Sequence, residues 1–335
     1  MTTWIRIIFI HGSRTVPAAV ALLVVLGLVP ATANAATSGG QNAVAAGPAT
    51  AVSPTTATYK IWHWNMAGHH QHLGSTTNGI IQAIAGSISY RQPDFVSINE
   101  ICRNQYSAVI DALQKMGWPQ SPTNFARYEP MTAAGDPGYC AGHGIGIAIF
   151  SRYALGDTLR EPLPYDGSGK QRKLLCAPVA ARPWTRFCTT HLTTVAAGRA
   201  GQLAAVHEVL ESYRSRGNVP IVAGDFNVQP HSPLLNTWYD ASVDSAANGG
   251  NVGHYHELDD REPVCPGWGE QTTESNQLGA CGQSGKVDLI FAPADRLVSY
   301  RADAHPIGHV CGANRDKPCS DHRIVDATVS VMAGQ

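Results

Sequence analysis

The sequence predicts an α/β fold of two mostly antiparallel sheets packed face to face, with helices outside. Three observations lead there. Apolar runs of strand length alternate with apolar stripes at helical spacing. Two of the runs read as a hairpin, which argues against a purely parallel, doubly wound sheet. No internal repeat or second linker divides the chain after its leader, so one large domain is expected.

The elements follow in order. Met1 to Ala35 reads as a cleaved export signal: Arg6 and Arg14 charge its start, Val16 to Val29 is apolar, and Ala33-Asn34-Ala35 is a small-residue cleavage site. The apolar stretch is short for a membrane span, and an uncleaved anchor is the rival reading. Ala36 to Ala57 carries no charge and is rich in Ala, Thr, Gly, Ser and Pro, as a flexible leader would be. The folded domain is expected over 58–335.

Tyr59 to Asn65 reads as a strand. Ile80, Ile81, Ile84 and Ile88 make a helical stripe that ends at Arg91-Gln92-Pro93. Asp94 to Glu100 is a second strand. Tyr106, Val109, Ile110, Leu113 and Met116 form another helix, closed by Gly117 and Pro119. Ile145 to Phe150 is a strand. Leu174 to Ala180 and Trp184 to Leu192 form the hairpin, with Arg182-Pro183 as its turn. Leu203, Val206, Leu210 and Tyr213 mark a long helix that stops near Gly217. Pro220 to Ala223, Val287 to Phe291 and Ile324 to Val331 supply further strands. The polar, glycine-rich stretch from Asp240 to Gly285 is expected to carry function or disorder.

Eight cysteines in an exported chain suggest four disulfides among 105 possible pairings. Neighbour pairing is expected throughout, with Cys176 facing Cys188 across the hairpin. No Cys-x-x-Cys spacing supports a metal–thiolate site. The chain has 24 Lys and Arg against 25 Asp and Glu, so bulk charge gives no argument for nucleic acid.

The chemistry lies where apolar runs stop on polar residues. Val219-Pro220-Ile221-Val222-Ala223 runs into Gly224-Asp225-Phe226-Asn227. By strand alternation Asp225 and Asn227 share a side, although the same four residues also suit a tight turn. Other runs end on or lead into Asn65, Glu100, His191, Asp288 and Ser320-Asp321-His322. Strand ends of one sheet can meet at a common edge. Glu100, Asp321 and Asn65 would then form an oxygen-rich site for a hard divalent cation. His191 and His322 are candidate proton carriers, and Asp288 could fix the tautomer of one of them. His63, His69, His70 and His72 could bind a transition metal or touch substrate, but fit no standard zinc spacing and read more simply as polar or structural residues.

This ordered set resembles the endonuclease/exonuclease/phosphatase superfamily. The matching motifs are Trp64-Asn65, Ile98-Asn99-Glu100, Gly144 through Arg152, Thr190-His191-Leu192, Gly224-Asp225-Phe226-Asn227, Val287-Asp288 and Ser320-Asp321-His322. The resemblance implies a four-layer α/β sandwich and metal-dependent phosphoester hydrolysis with Mg²⁺, or else Mn²⁺ or Ca²⁺. It implies Glu100 as the main metal ligand, helped by Asn65 and Asp321. Asp225 would orient or deprotonate water. Asn227 and His322 would hold phosphate oxygens, with Asp288 pairing His322. His191 would be an acid for the leaving oxygen, though no carboxylate partner for it can be placed. Arg152 would touch phosphate.

Three substrate readings stay open. Export, disulfides and Arg103 fit an extracellular endonuclease acting on nucleic acid. Asn99-Glu100, in place of the commoner Gln-Glu, leans toward a sphingomyelinase-type enzyme meeting a lipid head group, with Trp238 or Trp268 at the membrane if exposed. The third is a fold that only binds. No stable protein partner is implied, and a monomer is expected.

Overall fold

The computed structural model describes residues 55–274, 281, 285–308, 311 and 318–333. The export signal and most of the leader lie outside these residues. Strand β1 (Thr56–Asn65) is followed by α1 (Ile80–Arg91), β2 (Phe95–Cys102), α2 (Arg103–Lys115), β3 (Ala126–Pro130), β4 (Ile145–Ser151), β5 (Leu159–Pro162), β6 (Lys173–Val179) and β7 (Arg182–His191). Then come α3 (Ala196–Arg214), β8 (Val219–Asp225), β9 (Tyr255–Glu257), β10 (Asp288–Pro293), β11 (Leu297–His305) and β12 (Ile324–Met332). Because β1 starts at Thr56, the last two residues expected in the leader, Thr56 and Ala57, are strand, paired with Met332 and Val331.

The strands form two sheets of six. One has the order β11-β12-β1-β2-β4-β3, the other β5-β6-β7-β8-β10-β9. Each is antiparallel except for a parallel pair near its middle, β1–β2 and β7–β8. Those pairs need crossovers, supplied by α1 and α3. The expected sandwich is therefore present, helices outside and sheets within.

Strand alternation sorts the side chains into layers. Along β1, Tyr59 and Ile61 face the core between the sheets, while Trp62 and Trp64 pack under α1 and α2 with Ile80, Ile84, Ile88, Val109 and Leu113. On the other sheet, Cys188, Val222, Leu289 and Phe291 face outward under α3 with Leu203, Val206 and Leu210. α1 ends as its sequence requires. Gln92 adopts the left-handed conformation, its N–H reaches the Ile88 carbonyl, and Pro93 forbids another turn.

All four neighbour disulfides are present: Cys102–Cys140, Cys176–Cys188, Cys265–Cys281 and Cys311–Cys319. The hairpin turn differs from its expected place. It lies at Ala180-Ala181, with Val179 opposite Arg182, and a register shift after Pro178 still sets Cys176 opposite Cys188. Of the 240–285 stretch, residues 275–280 and 282–284 lie outside the described residues, and the described part is anchored. Lys286, wholly buried, binds Glu257 at 3.0 Å and Asp259 at 2.6 Å. Trp238 and Trp268 are 1% and 2% exposed, so the membrane contact considered for them is overturned. No described helix is long and apolar enough to cross a membrane.

Candidate active site

The residues between the sheets change character along each central strand. β1 runs Tyr59, Ile61, then His63, Asn65. β2 runs Phe95, then Ser97, Asn99. β7 runs Phe187, then Thr189, His191. β8 runs Ile221, Ala223, then Asp225, while antiparallel β10 starts at Asp288 and proceeds to Ile290 and Ala292. The parallel pairs put Asn65 beside Asn99 and His191 beside Asp225, and antiparallel pairing puts Asp288 opposite Asp225. The polar halves therefore meet at one end of the sandwich.

Asp225 is the hub. Its Oδ2 accepts from Asn65 Nδ2 at 3.0 Å and lies 3.4 Å from His191 Nε2 and 3.8 Å from His322 Nε2. Its Oδ1 accepts from the Asn227 backbone N–H at 3.0 Å. That last bond is an Asx turn, so the chain has left the strand by Asn227, whose φ is +51°. Turn geometry, not strand alternation, brings Asn227 to Asp225. Gly224 is required here because a Cβ would sit 2.2 Å from the Thr190 carbonyl of β7. Burial, with help from Asp288 and against His322, pushes the Asp225 carboxyl up to about 7.

His322 and Asp288 form a tight pair, Nδ1 to Oδ2 at 2.7 Å. Burial disfavours a charged ring, but Asp288 and then Asp225 outweigh it and raise His322 to about 10. Burial acts on Asp288 too, yet His322 and His63 hold its carboxyl well below the usual range. His191 behaves oppositely. Burial first, then Arg172 and Lys170, lower its pKa well below that of a free imidazole. The carboxylate partner that could not be placed for it is Asp225.

Glu100 reaches the rim by breaking alternation. Asn99 faces the other sheet, so a regular strand would turn Glu100 toward the helices. Instead its φ is +57°, at an irregularity in the β2–β4 ladder between Ile98 and Ile101. A non-glycine residue there costs about 1–3 kcal/mol, a cost typical of functional sites. Asp321 follows Ser320, whose hydroxyl donates to the Asn65 carbonyl at 2.7 Å. Asn65, Glu100 and Asp321 thus share the same end of the first sheet.

Two ligand sets compete for a cation. Asp225, Asp288 and His322 hold ligating atoms within 4.8 Å of one another, the one such His, Cys, Asp and Glu group among the described residues. Their facing atoms are already spent on protein donors: both Asp288 oxygens face imidazoles and both Asp225 oxygens face N–H groups. The Glu100 carboxylate accepts no hydrogen bond among the described residues, and Asn65 Oδ1 accepts one, from Ala67 N–H at 3.2 Å. The oxygen set Glu100, Asp321 and Asn65 suits a hard cation better.

Arg152 is a correction. Its backbone N–H bonds the carbonyl of Asp94, just before β2 begins, so it sits at the opposite end of the sheet. Six residues of strand separate that end from Glu100, about 20 Å at ~3.3 Å per residue. A buried arginine that sequence reasoning missed lies at the same end as Asp225 and Glu100. Arg172, 4% exposed, donates to the His191 carbonyl at 3.4 Å, and the charges of Asp225 and Glu100 act on it. His63 and Asn99 were also missed as members of the site. His63 is buried in β1 against Asp288, apart from His69, His70 and His72 in the following turn. His72 bonds the Cys319 carbonyl and Asn78, and His69 accepts from Cys140 N–H. Among the described residues these four histidines form no shared metal group.

Comparison with solved structures returns the same architecture at low identity. The human nocturnin catalytic domain with a bound sulfate anion superposes with a TM-score of 0.58 at 16% identity, over 83% of this chain and 97% of that one. An endonuclease/exonuclease/phosphatase from Beutenbergia cavernae gives 0.54 at 18%, over 83% and 72%. The D. rerio TDP2 complexed with a single-strand DNA product gives 0.52 at 17%, over 82% and 99%. No curated protein matches by sequence. The model of the Endonuclease/Exonuclease/phosphatase family matches residues 62–322, spanning every motif above from Trp64 to His322, and the chain belongs to that family.

Proposed function

We propose that the protein is a secreted, divalent-metal-dependent phosphodiester hydrolase, an endonuclease that cuts nucleic acid outside the cell. The observation that carries the chemistry is Asp225, a buried carboxylate with a raised pKa ringed by Asn65, Asn227, His191 and His322. Glu100, Asn65 and Asp321 would hold the cation, Mg²⁺ first. Bound there, a divalent cation would offset the charge of the phosphate oxygens and make a neighbouring water more acidic.

The chain's own groups do the rest. Asp225, deprotonated, orients a water molecule and takes its proton as the oxygen attacks phosphorus. Charged His322, held by Asp288, donates to a phosphate oxygen together with Asn227, where negative charge develops. His191 is reassigned. A ring held neutral by burial is a poor acid, so His191, its Nε2 3.4 Å from Asp225 Oδ2, steadies that carboxylate, and the leaving oxygen takes its proton from water as the P–O bond breaks. Arg172 takes the phosphate-binding role first given to Arg152.

Nucleic acid is preferred over a lipid head group because Trp238 and Trp268, the aromatics considered for a membrane, are buried. TDP2 with its single-strand DNA product shares this fold. The leader and the disulfides support export. The test offers plasmid DNA, RNA, sphingomyelin and a soluble phosphomonoester side by side, with Mg²⁺ and then with chelator. DNA nicking that the chelator abolishes is expected. Release of choline phosphate alone would move the assignment to lipid, and inactivity on all four would reject hydrolysis.

A further inference from the structure

A buried chain of hydrogen bonds links Asp225 to Asp288 by a route the hydrolytic roles do not use. It starts at the Asp225 backbone N–H, which donates to Asn99 Oδ1 at 2.8 Å. That bond fixes which end of the amide is oxygen, so Asn99 Nδ2 donates to Thr189 Oγ1 at 3.2 Å. Thr189 Oγ1 lies 2.7 Å from Ser97 Oγ; either hydroxyl can donate there, and having accepted from Asn99, Thr189 has Ser97 as the acceptor for its own proton. Ser97 reaches His63 Nδ1 at 2.9 Å, closer than its other acceptor, the Ala223 carbonyl at 3.4 Å. An imidazole that accepts at Nδ1 carries its hydrogen on Nε2. His63 Nε2 faces Asp288 Oδ1 at 3.0 Å, and the second Asp288 oxygen faces His322. With Thr189 donating to Ser97, the donors point one way from Asp225 to Asp288. His63, Ser97, Asn99, Thr189 and Asp288 are each 0% exposed, and they come from both sheets.

We propose that His63 is a positioning residue for the Asp288–His322 pair. Its Nε2–H holds the Asp288 carboxylate so that Oδ2 stays on His322, and the Ser97–Thr189–Asn99 chain keeps His63 in that tautomer. Without His63, Asp288 Oδ1 is a buried acceptor with no partner, and the carboxylate is free to turn. Outer partners of this kind matter for activity because they fix the orientation of the group that acts. The chain also explains why polar residues are admitted deep between the sheets: each has its partner, so burial costs little and the register of one sheet on the other is specified. The kinetic part of this inference rests on the hydrolytic reading above.

The test has two arms. In long-range ¹H–¹⁵N spectra of the full chain, His63 should be the Nε2–H tautomer, and Ser97→Ala should mix the tautomers. With the phosphodiester cleaved in the substrate panel, His63→Ala should lower kcat about 10–100-fold with KM changed less than about twofold, and His63→Gln, which keeps a donor, should recover most of the loss. Ser97→Ala, the milder change, should give a smaller fall in kcat and stands in if His63→Ala does not fold. An Nδ1–H tautomer, or a folded His63→Ala protein with wild-type kcat, would overturn the proposal. If no phosphoester is cleaved, the hydrolytic reading fails. The tautomer, and the shift of the His322 Nδ1–H resonance in His63→Ala, still decide the positioning claim.

Discussion

The two ends of the space between the sheets are built from the same strands and could hardly differ more. At one end, Phe95 stacks on Phe187 with centroids 4.9 Å apart and planes 16° from parallel, and Ile61, Ile221, Val329 and Val331 fill the space around them. At the other, the same alternating positions carry His63, Asn65, Asn99, His191, Asp225 and Asp288. The apolar end holds the fold by burial. The polar end holds side chains that burial penalises, and it is affordable because nearly all of their polar atoms find a partner, His191 Nδ1 being an exception. The lesson is that one alternating series per strand encodes both stability and chemistry, and the point where it turns polar marks the site.

The largest expected effect is at the polar end. Asp225→Asn should cut phosphodiester hydrolysis about 10²–10⁴-fold with only a modest fall in melting temperature, since it removes a buried charge and keeps the shape but sets an amide N–H where an oxygen accepted one. Kinetics and calorimetry on the same sample check both halves, and a large loss of stability would blur the contrast. Phe187→Ala should do the reverse. It should cost about 3–5 kcal/mol of folding stability by chemical denaturation, with kcat per folded molecule near wild type. The rate should also rise with pH through about 7, because Asp225, whose carboxyl burial raises to about 7, must shed its proton to act as base. A profile flat across neutrality would remove Asp225 from that role. The smallest effect is expected at Arg152. Arg152→Ala should change kcat and KM little, whereas Arg172→Ala should weaken both substrate binding and turnover. Equal losses would mean that the two ends of the sandwich are not functionally distinct.

Much of this was legible from residue order. The helical stripes at Ile80–Ile88 and Leu203–Tyr213 gave the outer layers, and the central strands announced themselves as apolar runs. β3, β5 and β9 were not legible because they are short edge strands such as Ala-Arg-Tyr-Glu-Pro, and β11 because its solvent face leaves little apolar pattern. His63 was missed because Lys-Ile-Trp-His-Trp-Asn buries both faces. Counting in twos from Asn65 would have placed it on the site's side of β1. Arg172 lies in the polar run Lys-Gln-Arg-Lys, where no periodicity selects one cation. Arg152 was misplaced because a motif spanning a whole strand does not say which of its ends faces the chemistry.

The claim on which the account turns is that the cation sits on Glu100, Asn65 and Asp321 at the rim, beside the Asp225 hub. Calorimetric titration of Mg²⁺ into the wild-type protein, Glu100→Gln and Asp288→Asn tests it directly. Binding should be lost in Glu100→Gln and kept within a few fold in Asp288→Asn. Binding that survives Glu100→Gln and vanishes in Asp288→Asn would contradict it.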